Sequence, residues 1–274
     1  MKDLKGRVVM VTGASGGIGR ATALAFADEG CDVVVCARRE TELERVADQI
    51  RSKGRGALAV PTDVGKEEDV RALAEKAFAR FGKVDIAFSN AGIALNAPTH
   101  LLEKADWEKV MNVNFYGAVH VVRYFVRPMV ERREGHFVVN SSGFGLTGAP
   151  YNTPYSTSKF ALVGMTECLR AEVAQYNVGV TTLCGGVVQT DIFKNAELKG
   201  FEDKARDALN FFKGMSPEKF AQIVVKAVKK NKGFVITDAM TKYSYRFKRY
   251  SPGLFELWIR QMPRFSRKYL KNEL

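Results

Sequence analysis

Tyr155-Ser156-Thr157-Ser158-Lys159 places a phenol and an ammonium four residues apart, a spacing that brings both onto one face of a helix. Tyrosine ordinarily titrates near about 10, and a neighbouring lysine cation favours the phenolate, moving it toward a useful acid/base range. Alone, such a pair is commonly a solvated helix face. Thirteen residues upstream, however, Ser142 follows the apolar run 136–141, at the C-terminal end of an expected strand, where open α/β sheets hold their ligands. A carbonyl oxygen that gains negative charge needs positioned donors of this kind. Asn114, in Val113-Asn114-Phe115-Tyr116-Gly117, and Asn90-Ala91-Gly92 supply further polar groups after other expected elements.

The first apolar run leads directly into Thr12-Gly13-Ala14-Ser15-Gly16-Gly17-Ile18-Gly19. Glycines at 13, 17 and 19 allow a tight turn and close backbone approach to a pyrophosphate, which then rests on the free N–H groups of the following helix. A ligand-free glycine turn is the plainer reading, and position after a first strand and before a helix favours the dinucleotide. The same residues match G-x-S-x-G, which would make Ser15 a nucleophile. That alternative needs an acid and a histidine downstream, and an elbow at the first strand leaves the rest of such a fold unbuilt. After the second strand comes Cys36-Ala37-Arg38-Arg39. Ala37 stands where an acid would take the ribose hydroxyls of NAD, and Arg38 offers a planar fork for a phosphate, so NADP(H) is favoured over NAD(H).

Positioning these groups requires a regular scaffold. Continuous apolar, β-branched runs at 7–12, 32–36, 57–61, 84–89, 136–141, 178–184 and 234–237 read as strands buried on both faces. Helical periodicity fills 18–29, 40–53, 66–80, 115–133, 153–176 and 217–230, the last opened by Ser216-Pro217. Alternation throughout predicts an α/β fold, a doubly wound parallel sheet of about seven strands of the Rossmann type. One catalytic domain, 1–240, is expected, with a C-terminal helical extension at 241–274.

Composition narrows the class. The 274 residues are 46% hydrophobic, enough for a single large core. Cys31, Cys36, Cys168 and Cys184 form no C-x-x-C pair, and His100, His120 and His136 lie far apart. Reduced thiols and no metal site are expected. With no secretory h-region near the amino terminus and no run of spanning length, a cytoplasmic location is expected. Net charge is +12, and residues 241–274 hold nine Lys/Arg against two Asp/Glu, about half of the excess. No nucleic-acid reading motif accompanies that charge.

Taken jointly, the glycine turn, Asn90-Ala91-Gly92, Asn114, Ser142 and Tyr155/Lys159 resemble a short-chain dehydrogenase/reductase across roughly residues 5 to 240. The resemblance implies that Tyr155 exchanges a proton with the substrate oxygen. Lys159 lowers the Tyr155 pKa and holds nicotinamide ribose hydroxyls, Ser142 hydrogen-bonds the substrate oxygen, and Asn114 supports a proton-relay water. It also implies cofactor contacts at Gly13, Ser15, Gly17, Ile18, Gly19, Arg38, Asp63, Val64, Asn90, Gly92, Val188 and Thr190. One departure stands out, since Gly185 replaces a proline usual before Gly186, so that the turn orders at greater entropic cost.

By the same resemblance the substrate lies among Ile93, Leu95, Phe144, Leu146, Tyr151, Ile192, Phe193, Phe201, Phe211 and Phe212, which leans toward a lipophilic ketone, aldehyde or alcohol. Two rival readings are a 3-oxoacyl thioester reductase, whose basic surface would meet an acidic carrier protein, and a cofactor-sensing protein without turnover. A homodimer or homotetramer built on 115–133 and 153–176 is implied. In the tail, Leu254, Trp258, Met262, Phe265 and Tyr269 fall at helical spacings, interrupted by Pro263. This stripe is expected either to pack on the domain or a partner subunit, or to make a peripheral membrane contact.

Overall fold

The computed structural model describes residues 1–192, 195–202, 204–205, 214–266 and 269–271. Strands β1 (Val8–Thr12), β2 (Asp32–Ala37), β3 (Ala57–Pro61), β4 (Ile86–Ser89), β6 (Gly135–Asn140), β7 (Val178–Cys184) and β9 (Phe234–Ile236) form one sheet. Its order is β3-β2-β1-β4-β6-β7-β9, and every pairing is parallel. The seven expected strands and the doubly wound architecture are all present. A further pair, β5 (Leu95–Asn96) with β8 (Glu197–Leu198), was not foreseen, because two residues are too few to produce a periodic signal.

Strand periodicity sorts the core into two layers. Val9, Val11, Val33 and Val35 join Phe26, Leu43 and Phe220 on one face of the sheet. Val8, Met10, Val34 and Cys36 join Leu73, Phe125 and Leu162 on the other. Helices α1 (Gly17–Asp28), α2 (Glu40–Arg51) and α8 (Pro217–Lys229) therefore cover the first face. Helix α3 (Glu67–Phe81), the helical run 104–132 and α7 (Thr153–Val173) cover the second. Each fully buried aliphatic or aromatic side chain adds about 1.5–3 kcal/mol, so burial on both faces makes the sheet a firm platform.

The helical run differs from expectation. It begins earlier, with α4 (Lys104–Met111), where the Asp106 carboxylate accepts from the Glu103 N–H at 2.8 Å and satisfies a helix-start donor. It then widens into π-helical turns at Asn112–Tyr116 and Val122–Val126, separated by α5 (Gly117–Val121), before α6 (Arg127–Arg132). Such widened turns are frequent at functional positions, and the first contains Asn114.

After β9 the chain continues into α9 (Ala239–Tyr250), α10 (Pro252–Ile259) and α11 (Met262–Ser266). The expected boundary at 240 falls inside α9. Beyond α11 the chain returns to the body: Phe201 bridges Leu270, and the Glu202 N–H donates to the Tyr269 carbonyl at 2.9 Å. The expected apolar stripe is not a single inward face. Phe255 is buried, packed against Phe247 and Trp258 at ring separations of 5.8 and 5.5 Å. Leu254 and Trp258 are 61% and 44% exposed. The separate short helices break the register that a continuous helix would have kept. The Phe265 side chain lies outside the described residues. Among the described residues no helix is long and apolar enough to cross a membrane.

Candidate active site

Strand order reverses between β1 and β4, and the crevice that opens at their C-terminal ends is where such sheets hold ligands. Gly13 adopts φ +66°, and a Cβ there would lie 3.0 Å from the Ala91 Cα. Gly17 adopts φ +51°, and a Cβ would lie 2.9 Å from the Thr190 methyl. Gly19 is buried against the Gly13 carbonyl. The turn thus holds Thr190 and Asn90-Ala91 at backbone contact, which larger residues would forbid. At the start of α1 neither a capping side chain nor an acidic residue of the first turn engages the N–H groups. This leaves Ile18 and its neighbours with a helix terminus suited to an anion.

Arg38 and Arg39 are both exposed, and the one that reaches the turn is Arg39, whose Nη2 donates to Ser15 Oγ at 3.1 Å. Arg39, at the N-cap of α2, was not among the expected cofactor contacts, because adjacent arginines in sequence give no sign of which one turns toward the glycine loop. Asp63 uses one carboxylate oxygen to accept from the Gly65 N–H at 3.0 Å, which shapes its turn. Val64 is buried against Gly117, and its carbonyl meets His120 Nδ1 at 2.9 Å. Val188 is buried and bridged to Met215.

A polar net ties the strand ends together beneath this crevice. Thr12 Oγ1 accepts from the N–H groups of Asn90 and Ala91 at 2.8 and 2.9 Å, and Asn90 Nδ2 donates to the Thr12 carbonyl at 3.0 Å. Asn140 Nδ2 donates to Asn90 Oδ1 at 3.0 Å, and Lys159 Nζ donates to the Asn140 carbonyl at 2.8 Å. Asn114 spends its side chain on the backbone of Ile93, accepting from its N–H at 2.8 Å and donating to its carbonyl and to Ser158 Oγ, both at 3.0 Å. Gly92 makes room here: a Cβ would lie 3.3 Å from Asn114 Oδ1 and 3.6 Å from Lys159 Nζ. Thr12, Asn140 and Ser158 carried no signal in the sequence, because their partners are far away along the chain.

Ser142 caps a 3-10 turn (Gly143–Gly145), its hydroxyl accepting from the Phe144 N–H at 3.1 Å. It also acts on Tyr155, lowering its pKa in part. Lys159 Nζ lies 5.5 Å from the Tyr155 ring centre. The expected depression of the Tyr155 pKa is not what the chain alone produces. Burial pushes Tyr155 above its ordinary 10, only partly countered by Ser142, and pushes Lys159 down to about 8. Removal from water disfavours each charged form and is the largest cause of both shifts.

The Gly185-Gly186 turn also has a physical reason. A Cβ on Gly185 would lie 2.8 Å from Thr237 Oγ1 and 2.9 Å from the Phe220 ring, space that a proline ring would contest. The Gly185 carbonyl accepts from the Gly143 N–H at 2.6 Å. Asp238, the N-cap of α9, accepts from the Gly186 N–H at 2.7 Å and from the Thr241 N–H at 2.8 Å. Lys248 Nζ donates to the Leu146 carbonyl at 2.8 Å and sits 4.7 Å above the Phe160 ring. The tail thereby grips the segment that follows Ser142.

Of the expected substrate-lining residues, Ile93, Phe144, Tyr151, Ile192 and Phe201 retain exposure, Phe144 meets Tyr155 edge-on at 6.3 Å, and Tyr151 meets Phe201 at 5.5 Å. Leu95 and Leu146 are instead buried, Leu95 packing with Ala97 and Val110 in a small core of its own. Phe193, Phe211 and Phe212 lie outside the described residues.

A family model described as short chain dehydrogenase matches residues 7–199. An uncharacterized oxidoreductase of Listeria monocytogenes is 34% identical over 227 residues, covering 82% of this chain and 91% of that protein. Dehydrogenase/reductase SDR family member 7B of Mus musculus is 33% identical over 277 residues, covering 98% of this chain and 84% of that protein. Among solved structures, a short-chain dehydrogenase/reductase from Burkholderia phymatum in complex with NAD superimposes with a TM-score of 0.86 at 29% identity, covering 93% of this chain and 96% of that one. A chain with this sheet, this glycine turn and this Ser-Tyr-Lys arrangement, matched along nearly its whole length, belongs to the short-chain dehydrogenase/reductase family of oxidoreductases.

Proposed function

We propose that the protein transfers a hydride between NADP(H) and a lipophilic ketone, aldehyde or secondary alcohol, with Tyr155 as the acid/base. The observation that carries this reading is the convergence of Tyr155, Ser142 and Lys159 at the C-terminal edge of the sheet, beside the glycine turn. The residues present fit a dinucleotide. Gly13 and Gly17 adopt positive φ and let the turn close on Ala91 and Thr190 with no side chain of its own in the way, and the start of α1 is uncapped. When bound, the nicotinamide supplies or accepts the hydride.

The remaining work falls to the chain's own side chains. In reduction, Tyr155 gives its proton to the substrate oxygen as charge builds there; in oxidation it takes the proton back. Ser142 donates to the same oxygen, aimed by the Phe144 N–H that its own oxygen accepts. Lys159 spends one of its three donors on Asn140, leaving two for ribose hydroxyls. Because the Asn114 side chain is committed to Ile93 and Ser158, any relay water falls to its backbone carbonyl.

The fold alone does not choose the cofactor, since the Burkholderia relative holds NAD. The preference for NADP(H) rests on Ala37 in the acid's place and on Arg38, Arg39 and Ser15 around the site of the extra phosphate. The half-buried aromatic rings of Phe144 and Tyr151 support a lipophilic substrate. Tyr116 and Phe160 are exposed on the helical run 104–132 and on α7, which supports assembly of a dimer or tetramer through these helices.

The test is turnover of a panel of carbonyls with NADPH and NADH by the wild type and by Tyr155→Phe. The variant is expected to bind NADPH within a few fold of wild type and to lose about 10² to 10⁴ in turnover. Turnover near normal in the variant overturns the assignment.

A further inference from the structure

Helix α9 carries three stripes at spacings of three and four, each with a separate fate. Thr241, Tyr245 and Lys248 face the body, with Thr241 buried and Lys248 bonded to Leu146. Met240, Tyr243, Phe247 and Tyr250 form an outward apolar arc, with Tyr243 66% and Tyr250 83% exposed. Lys242, Arg246 and Arg249 are exposed along its flank. Helix α10 extends the apolar arc with Leu254, Leu257 and Trp258, all exposed. Large apolar groups left facing water beside a row of cations mark a surface awaiting a partner.

We propose that this outward face of α9 and α10 seats on an anionic lipid bilayer, with Tyr243, Tyr250, Leu254, Leu257 and Trp258 at headgroup level and Lys242, Arg246 and Arg249 against the lipid anions. Charge decides the occupant. A second copy docking face to face would set the same basic stripe against itself, whereas an anionic surface complements it. An acidic soluble partner would use the cations but leave the aliphatic and aromatic arc in water, while the bilayer interface accommodates both.

The placement also bears on the substrate, a consequence that rests on the proposed carbonyl chemistry. An open apolar groove of about 740 Å³ runs between α10 and α7, lined by Ala149, Pro150, Phe160, Ala161 and Ile259. It joins the tail to the segment between Ser142 and Tyr155. Because the tail's root holds the Gly185-Gly186 turn through Asp238 and the segment after Ser142 through Lys248, seating the tail brings that side of the active site toward the lipid. A lipophilic substrate would then arrive from the bilayer.

The binding test needs no catalysis, so it stands or falls apart from the proposed reaction. The full-length protein is sedimented with vesicles of phosphatidylcholine alone or with about 30% phosphatidylserine, at low and high salt. In a Trp107→Phe background, Trp258 is the remaining tryptophan of two and reports burial by a blue shift. Binding to the anionic vesicles with that shift, weakened by salt, is expected. Each basic side chain near such a surface is worth about fivefold, so the triple change Lys242→Gln, Arg246→Gln, Arg249→Gln should weaken partitioning on the order of a hundredfold. Leu254→Ser with Leu257→Ser should abolish the blue shift while leaving retention on heparin unchanged. Both variants should turn over a small soluble carbonyl as wild type does, and lose any rate gain on a long-chain aldehyde presented in the anionic vesicles. No binding at low salt, equal binding to phosphatidylcholine, wild-type partitioning by either variant, or loss of an oligomer in place of loss of vesicle binding would overturn the proposal.

Discussion

Asp238 is the joint between tail and catalytic segment, and removing its carboxylate should damage both. One oxygen accepts from the Gly186 N–H at 2.7 Å and the other from the Thr241 N–H at 2.8 Å. In Asp238→Ala the loss of the helix cap costs about 1 kcal/mol. The part-buried Gly186 N–H, stranded without an acceptor, costs about another 1–2 kcal/mol. The sum, about 2–3 kcal/mol, corresponds to a fall in Tm of about 5–10 °C for a domain of this size. Asp238→Asn keeps one good acceptor and remains a strong cap, so it should recover about half of the loss. Since Gly185 holds the Gly143 N–H beside Ser142, turnover should fall with stability in the alanine variant, and substrate KM should change more than cofactor affinity. Urea unfolding, thermal melts and steady-state kinetics on the three proteins give the result. An alanine variant within about 0.5 kcal/mol of wild type, the range of an inert surface change, would refute the joint.

Arg39→Ala, and more strongly the double change with Arg38→Ala, should weaken NADPH by about tenfold per charge-assisted contact while leaving NADH nearly unchanged; a wild type that already turns over faster with NADH, measured at equal concentrations, contradicts the phosphate reading. His136 is fully buried, its Nε2 at 2.7 Å from Thr181 Oγ1, which itself donates to the Lys232 carbonyl, and burial lowers its pKa to about 3. The unfolded chain therefore takes this proton first, so stability should fall below pH 6.5 by about 1.4 kcal/mol per pH unit, and His136→Gln should flatten that slope by about one proton in urea titrations between pH 7 and 5. Burial lowers Lys159 from 10.5 to about 8, so the cost of burying its charge, about 3 kcal/mol, is fully present below pH 8 and relieved as pH rises toward 10.5. Lys159→Met should accordingly raise the Tm of the cofactor-free chain at pH 7 while abolishing turnover, with the gain fading by pH 10; a lower Tm at pH 7 is the contrary outcome.

The parts of this protein legible in one dimension are those encoded by local spacing. Seven apolar runs could be placed because a strand buried on both faces must be apolar at consecutive residues. The glycine turn and the Tyr155/Lys159 pair could be placed because the separations that matter to them are two to four residues. The short β5 and β8 pair, too brief to show a period, could not be, and neither could the early start of the helical run or its π-helical turns.

Long-range contact decided the rest. Arg39 rather than Arg38 touches Ser15 because the trajectory from β2 into α2 aims one guanidinium across the crevice. Tyr155 lies above its ordinary pKa because burial, a property of the packed molecule, outweighs a cation that sequence spacing alone made to look dominant. A side chain at Gly185 would meet Thr237 and Phe220, both distant in sequence, which only the folded chain brings there. Phe255 is covered while Leu254 and Trp258 face outward because the tail breaks into separate short helices and each sets its own rotation. Local spacing determines which groups can share a face; burial and the identity of the opposing atoms exist only once the chain has closed on itself.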